Sequence, residues 1–158
     1  MSVTIDSNPT SAYAMFATIT GGTVHLDCPH FEQVVGSTYF GDAFAVSGTL
    51  TVLQVRGQIM SQVRNGRGIV HSGGSSRFTA LLIDTSGTTV AVNYPVWVSA
   101  AGLILDQCKL IAPASSKGIY GPVAGQTLTC YDVKATQDVD ANVSNVYVDL
   151  LKVDSHVT

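Results

Sequence analysis

Val, Thr and Ile fill 45 of the 158 positions, and this bias constrains the fold more than any other feature of the chain. A β-branched side chain is stiff at χ1, costs a helix some stability and packs well on a pleated surface. The second constraint is the scarcity of charge. Asp, Glu, Lys and Arg make up 12% of residues, about half the share usual in a soluble domain. With 15 Ser, 16 Thr and 15 Gly, the polar surface is built mainly from small neutral groups. A β-protein of this kind is expected to hide part of its outside against other subunits.

A chain of 158 residues reads as a single domain with a real core. Residues 1–10 read as an N-terminal arm or edge strand, and residues 11–158 as the β domain. The mean hydropathy of +0.29 raises the question of a membrane. No apolar run reaches the ~18–20 residues of a spanning helix. The most apolar stretch, residues 90–105, is broken by Asn93, Pro95, Ser99 and Gly102. The N-terminus has neither a basic n-region nor an apolar h-region, so no signal peptide is expected. Cys28, Cys108 and Cys130 form an odd set without a CxxC pair, and are expected to be free thiols, at least two of them buried.

Charge is laid out in blocks. From Met1 to Val55 the chain holds Asp6, Asp27, Glu32 and Asp42 and no Lys or Arg. Between Asp42 and Asp84 the only charged residues are Arg56, Arg64, Arg67 and Arg77. This layout suggests that an acidic start meets a basic middle across neighbouring subunits.

Local signals place the elements. Gly21-Gly22 reads as a two-residue hairpin turn that pairs Ile19 with Val24 and Ala17 with Leu26. Residues 27–36 read as a short helix, with Asp27 as cap, Pro29 in the first turn and Gly36 at the end. Asn65-Gly66 reads as a second hairpin, joining residues 58–64 to residues 67–71 and setting Arg64 opposite Arg67. Residues 88–98 alternate strictly, with Pro95 marking an edge or a bend. Strands are expected at residues 78–83, 103–105, 109–112, 128–133 and 146–150, with a long loop over residues 113–125. Gly22-Thr23, Gly48-Thr49, Gly87-Thr88 and Gly125-Gln126-Thr127 open strands alike. The residues between them do not match, so they read as shared turn chemistry rather than a repeat.

No motif names a reaction. His25, Asp27, Cys28 and His30 bring metal-ligating types close together, but their spacing fits no standard zinc site and no second pair lies elsewhere. There is no GxSxG elbow, HExxH or P-loop. The pI of about 5.6 and the lack of a basic arm argue against nucleic-acid binding. The expectation is a non-enzymatic protein without cofactor, metal, nucleic-acid or membrane partner.

The sequence therefore predicts an all-β, single-domain antiparallel β-sandwich or jelly-roll-like barrel of roughly eight to ten strands, with at most one or two short helices. The predicted role is a structural virion protein, a phage capsid decoration or cement protein, made in the host cytoplasm and carried on the virion surface. It would bind itself, as a trimer, and a capsid protein. The expected interface residues are Val3, Ile5, Arg64, Arg67 and Trp97. Two other readings are a carbohydrate-binding β-module, such as a lectin or receptor-binding tail tip, and a main capsid or tail building block.

Overall fold

The computed structural model describes residues 13–19, 21–27, 40–48, 51–56, 66–86, 93–143 and 147–152. Among them strand is the one kind of extended regular element. In chain order the strands are β1 (Tyr13–Ile19), β2 (Gly22–Asp27), β3 (Phe40–Val46), β4 (Thr51–Arg56), β5 (Gly66–His71), β6 (Ser75–Thr79), β7 (Leu82–Asp84), β8 (Val96–Val98), β9 (Leu103–Asp106), β10 (Lys109–Ile111), β11 (Ile119–Tyr120), β12 (Leu128–Ala135) and β13 (Tyr147–Lys152).

The all-β composition holds, but the antiparallel sandwich or jelly roll does not form. Every ladder is parallel. One sheet runs β1-β3-β5-β8-β11, and the other runs β2-β4-β6-β9-β12-β10-β7 with β13 also on β12. Together they curl like a half-barrel around one core. The chain lays a strand in the first sheet, turns a corner, lays one strand or, from β6 onward, two in the second sheet, and returns one rung further on. Parallel neighbours need a long return path, and here the other sheet supplies it in place of a helix.

The corners explain why hairpins do not form. Gly22, Gly48, Gly74, Gly102 and Gly125 all take positive φ, between 77° and 99°. Each sits where the chain leaves the first sheet for the second. Gly21-Gly22 is such a corner, so β1 and β2 lie in different sheets, paired with β3 and β4. The second expected hairpin fails on its described half. Gly66–His71 has β3 on one side and β8 on the other, both parallel. Residues 58–65 lie outside the described residues, as do residues 28–36 of the expected helix. A second line of positive-φ residues bends the chain within the long sheet, at Ala80 (φ 57°) between β6 and β7, at Gln107 (φ 54°) between β9 and β10, and at Asp132 (φ 47°) inside β12. The Ala80 N–H donates to the Asp106 carbonyl (2.9 Å) and the Gln107 N–H to the Tyr131 carbonyl (2.8 Å). These corners therefore stack on one another.

Inward side chains form columns across the rungs. Phe44, Ile69, Val96 and Ile119 are in register and fully buried. Leu26, Val55, Phe78, Leu105 and Cys130 form the facing column. Phe44 and Phe78 meet edge to face across the core at 5.4 Å, a favoured aromatic geometry. Cys108 and Cys130 are free and buried, and Cys28 lies outside the described residues. Burial raises the Cys130 thiol to about 12, with Cys108 a second cause. Burial raises the Cys108 thiol as well, so neither core thiol is poised as a nucleophile.

The expected strands at 103–105, 109–112, 128–133 and 146–150 correspond to β9, β10, β12 and β13. The expected strand at 78–83 is split by the corner at Ala80. Residues 88–92 lie outside the described residues, and over 93–98 the expected alternation breaks at Pro95, because Asn93 and Pro95 are both buried beside the buried Val96. The expected loop at 113–125 contains β11.

The winding also rearranges the charge blocks. Asp27 lies in register with Arg56, and Asp42 with Arg67. Arg77 is ion-paired with Asp106. Two acidic residues of the start thus lie in register with two arginines of the middle, on adjacent rungs of the same chain.

Candidate surface site

The outer face of the five-stranded sheet gathers an aromatic cluster. Val70, Trp97 and Tyr120 occupy one outward column on β5, β8 and β11. The Arg67 guanidinium carbon lies 5.1 Å from the Trp97 ring centroid, within cation–π range. Tyr94 stacks on Tyr120 with centroids 4.3 Å apart and planes 6° from parallel. Arg67, Trp97, Tyr94 and Tyr120 are all half-buried. The backbone turn at Pro95 leaves Tyr94 part-exposed while Asn93 is buried. There the Asn93 carbonyl accepts from the Ser116 hydroxyl (2.7 Å) and the Thr85 hydroxyl (3.3 Å).

This face is electrostatically mixed. The guanidinium brings positive charge to the Trp97 ring. Tyr94 is held above the usual tyrosine range, first by burial and then by Tyr120 and Asp140 nearby. Its phenol therefore stays protonated and available as a hydrogen-bond donor. The cluster offers flat apolar rings, one cation and phenolic hydroxyls, which suits adhesion to a surface or a stacked ring and supplies no nucleophile.

Of the expected interface residues, Arg67 and Trp97 are brought together here. Val3, Ile5 and Arg64 lie outside the described residues. His25 and Asp27 are exposed on β2, whereas Cys28 and His30 lie outside the described residues. Among the described residues no three His, Cys, Asp or Glu side chains converge on a metal position. No sequence pattern announces the Tyr94–Tyr120 stack, because its partners are distant in the chain and meet only through the winding.

A second constellation is equally silent in the sequence. The Ser76 hydroxyl lies 2.9 Å from His71 Nδ1, and His71 Nε2 lies 3.0 Å from the Ala101 carbonyl oxygen. A carbonyl only accepts, so Nε2 carries the proton and Nδ1 accepts from Ser76. This is the contact of a nucleophile with its base. Yet His71 is 0% and Ser76 1% exposed, so no substrate reaches them. The pair is a satisfied polar link in the core. Burial lowers the His71 pKa, partly offset by the Ala101 bond. The native state therefore resists a proton that the unfolded chain accepts near pH ~6.5. His71 contributes no penalty above that pH, and stability falls as pH drops below it. The urea midpoint should fall more steeply from about pH 7 to about pH 5 than in His71→Gln. Equal slopes would remove His71 as the cause.

No known protein family, curated protein or solved structure matches the chain. Among the described residues no helix is long and apolar enough to cross a membrane.

Proposed function

We propose that this protein is a structural assembly subunit, of the kind that decorates a virion shell, and that it grips its partner through the outer face of the five-stranded sheet. The observation that carries this reading is the Arg67–Trp97 pair beside the Tyr94–Tyr120 stack. Trp, Tyr and Arg are the residues that dominate binding energy in protein interfaces, and the aromatics bring large area with few rotamers to freeze. A sheet face built on stacked rungs holds them rigidly. The low charge of the chain supports a protein that works by burying surface. The virion setting rests on that compositional argument.

The second reading, saccharide binding, draws on one observation. The near-coplanar Tyr94 and Tyr120 rings and the neighbouring Trp97 form an aromatic row on which the apolar faces of sugar rings could pack.

The two readings separate experimentally. Purified shells of the encoding virus should co-sediment with the protein. Trp97→Ala together with Arg67→Ser should weaken that binding at least about 30-fold, as expected for two interface anchors. The fold should survive, because both side chains lie outside the core. Failure of the parent protein to bind shells would overturn the decoration reading. A glycan-array signal abolished by the same double variant would assign the face to saccharides.

A further inference from the structure

We infer that the stacked Tyr94–Tyr120 pair is a modification site, at which a one-electron oxidant fed by peroxide joins the two rings as dityrosine and ties adjacent rungs covalently. The modification does not depend on the shell-binding role.

The winding holds both rings on fixed backbone. The Gly68 N–H donates to the Tyr94 carbonyl (3.0 Å) and the Ile69 N–H to the Pro95 carbonyl (2.8 Å), which anchors Tyr94 against β5. Tyr120 lies on β11, in register with Trp97 of β8. On its other side the Asp140 N–H donates to the Ile119 carbonyl (2.8 Å). The ring centroids are 4.3 Å apart and the planes 6° from parallel, so the rings lie face against face. Both residues are half-buried, so an oxidant reaches them while each ring covers one face of the other.

Two phenols held in this way have one particular reactivity. Loss of an electron and the phenolic proton leaves a radical shared by the ring carbons ortho to the oxygen. Two such radicals join through the π lobes of those carbons. The lobes stand out of the ring plane and, in a stacked pair, point at the partner ring. The step balances. Each phenol gives one electron to the oxidant and one proton to water. One C–C bond forms between an ortho carbon of each ring. The hydrogen on each joined carbon then moves to its oxygen and restores the phenol. The pair loses two hydrogen atoms in all, and one hydrogen peroxide is reduced to two waters. Burial, with Tyr120 and Asp140 nearby, holds Tyr94 above the usual tyrosine range, so the reactant is the neutral phenol. Coupling within the chain outruns coupling between chains, because the partner ring is held at an effective concentration that a second molecule does not reach.

The pair sits where a covalent tie adds most. Along the five-stranded sheet the ladders thin from six residue pairs at β1–β3 to five at β3–β5, three at β5–β8 and two at β8–β11. A Tyr94–Tyr120 bond spans that last, thinnest ladder. It also closes a loop containing β9 and β10, which restricts the unfolded chain far more than the folded one.

The test treats the full chain with a haem peroxidase and hydrogen peroxide, then with a thiol reductant so that no disulfide contributes. The expected product is a monomer lighter by two hydrogen atoms, with dityrosine fluorescence. Its tryptic digest should hold residues 78–109 joined to residues 118–134. Tyr94→Phe and Tyr120→Phe keep the rings and lose the phenols, and each should abolish the joined peptide. Tyr131→Phe should keep it. Treatment in unfolding urea should give at least about tenfold less of it. The linked monomer should unfold at a higher urea midpoint than the untreated protein. Absence of the joined peptide once the peroxide is consumed would overturn the site. Equal yield from the unfolded chain would overturn it too, and an unchanged midpoint in the linked monomer would overturn the tie.

Discussion

Gly102→Ala should destabilise the protein by about 3 kcal/mol or more, the sum of a left-handed backbone forced on alanine and a backbone clash. Gly102 sits at φ +99°, and a Cβ there would lie 2.4 Å from the Gly74 carbonyl oxygen. That oxygen belongs to the equivalent corner one rung earlier and cannot rotate away. The Gly102 carbonyl itself accepts from the Ser76 N–H at 2.9 Å, so moving the corner also loosens the rung beside it. A urea titration reads the loss directly. A change below about 1 kcal/mol would mean that the corners stack more loosely than this close approach requires.

Phe78→Ala should cost about 4 kcal/mol, from lost burial plus the cavity left behind. Phe78 is fully buried between Val55 and Leu105 in its column and meets Phe44 from the opposite sheet. It therefore ties adjacent rungs and both sheets at one point. A domain of this size is stable by only about 5–15 kcal/mol, so the variant should melt far earlier than the parent. Val123→Ala is the control. Val123 lies 60% exposed, and its truncation should cost about 0.5 kcal/mol or less. Comparable losses for the two variants would contradict the assignment of the core.

Strand positions are legible in the sequence, and strand partners are not. Alternation tells which side chains share a face, and the apolar runs place β9, β10, β12 and β13 well. Neither says which strand lies beside them. The Gly21-Gly22 turn shows the difficulty. An antiparallel register there matches Ile19 to Val24 and Ala17 to Leu26, so the wrong pairing is locally consistent. The chain instead turns a corner, and Val24 and Leu26 find their neighbours on β4. The usable signal is the nearly even spacing of the corner glycines Gly22, Gly48, Gly74, Gly102 and Gly125. Grouping Gly22, Gly48, Gly87 and Gly125 by their Thr neighbours hides that spacing, because it weighs shared neighbours above position. The repeat is one of backbone geometry, with almost no residue identity to carry it.

The candidate face is half legible for a related reason. Trp97 stands out as an aromatic opposite the Val face of its strand, and Arg67 as a cation in a basic stretch. Their contact depends on β5 and β8 being neighbours, which no local pattern encodes. The same winding sets the acidic and basic blocks on adjacent rungs.

A protein that grips a shell through Arg67 and Trp97 should lose that grip when both anchors are removed. Co-sedimentation of the parent and of the Trp97→Ala, Arg67→Ser double variant with purified shells tests this most directly. The parent should pellet with the shells, and the double variant should stay in solution. Equal sedimentation of the two would contradict it.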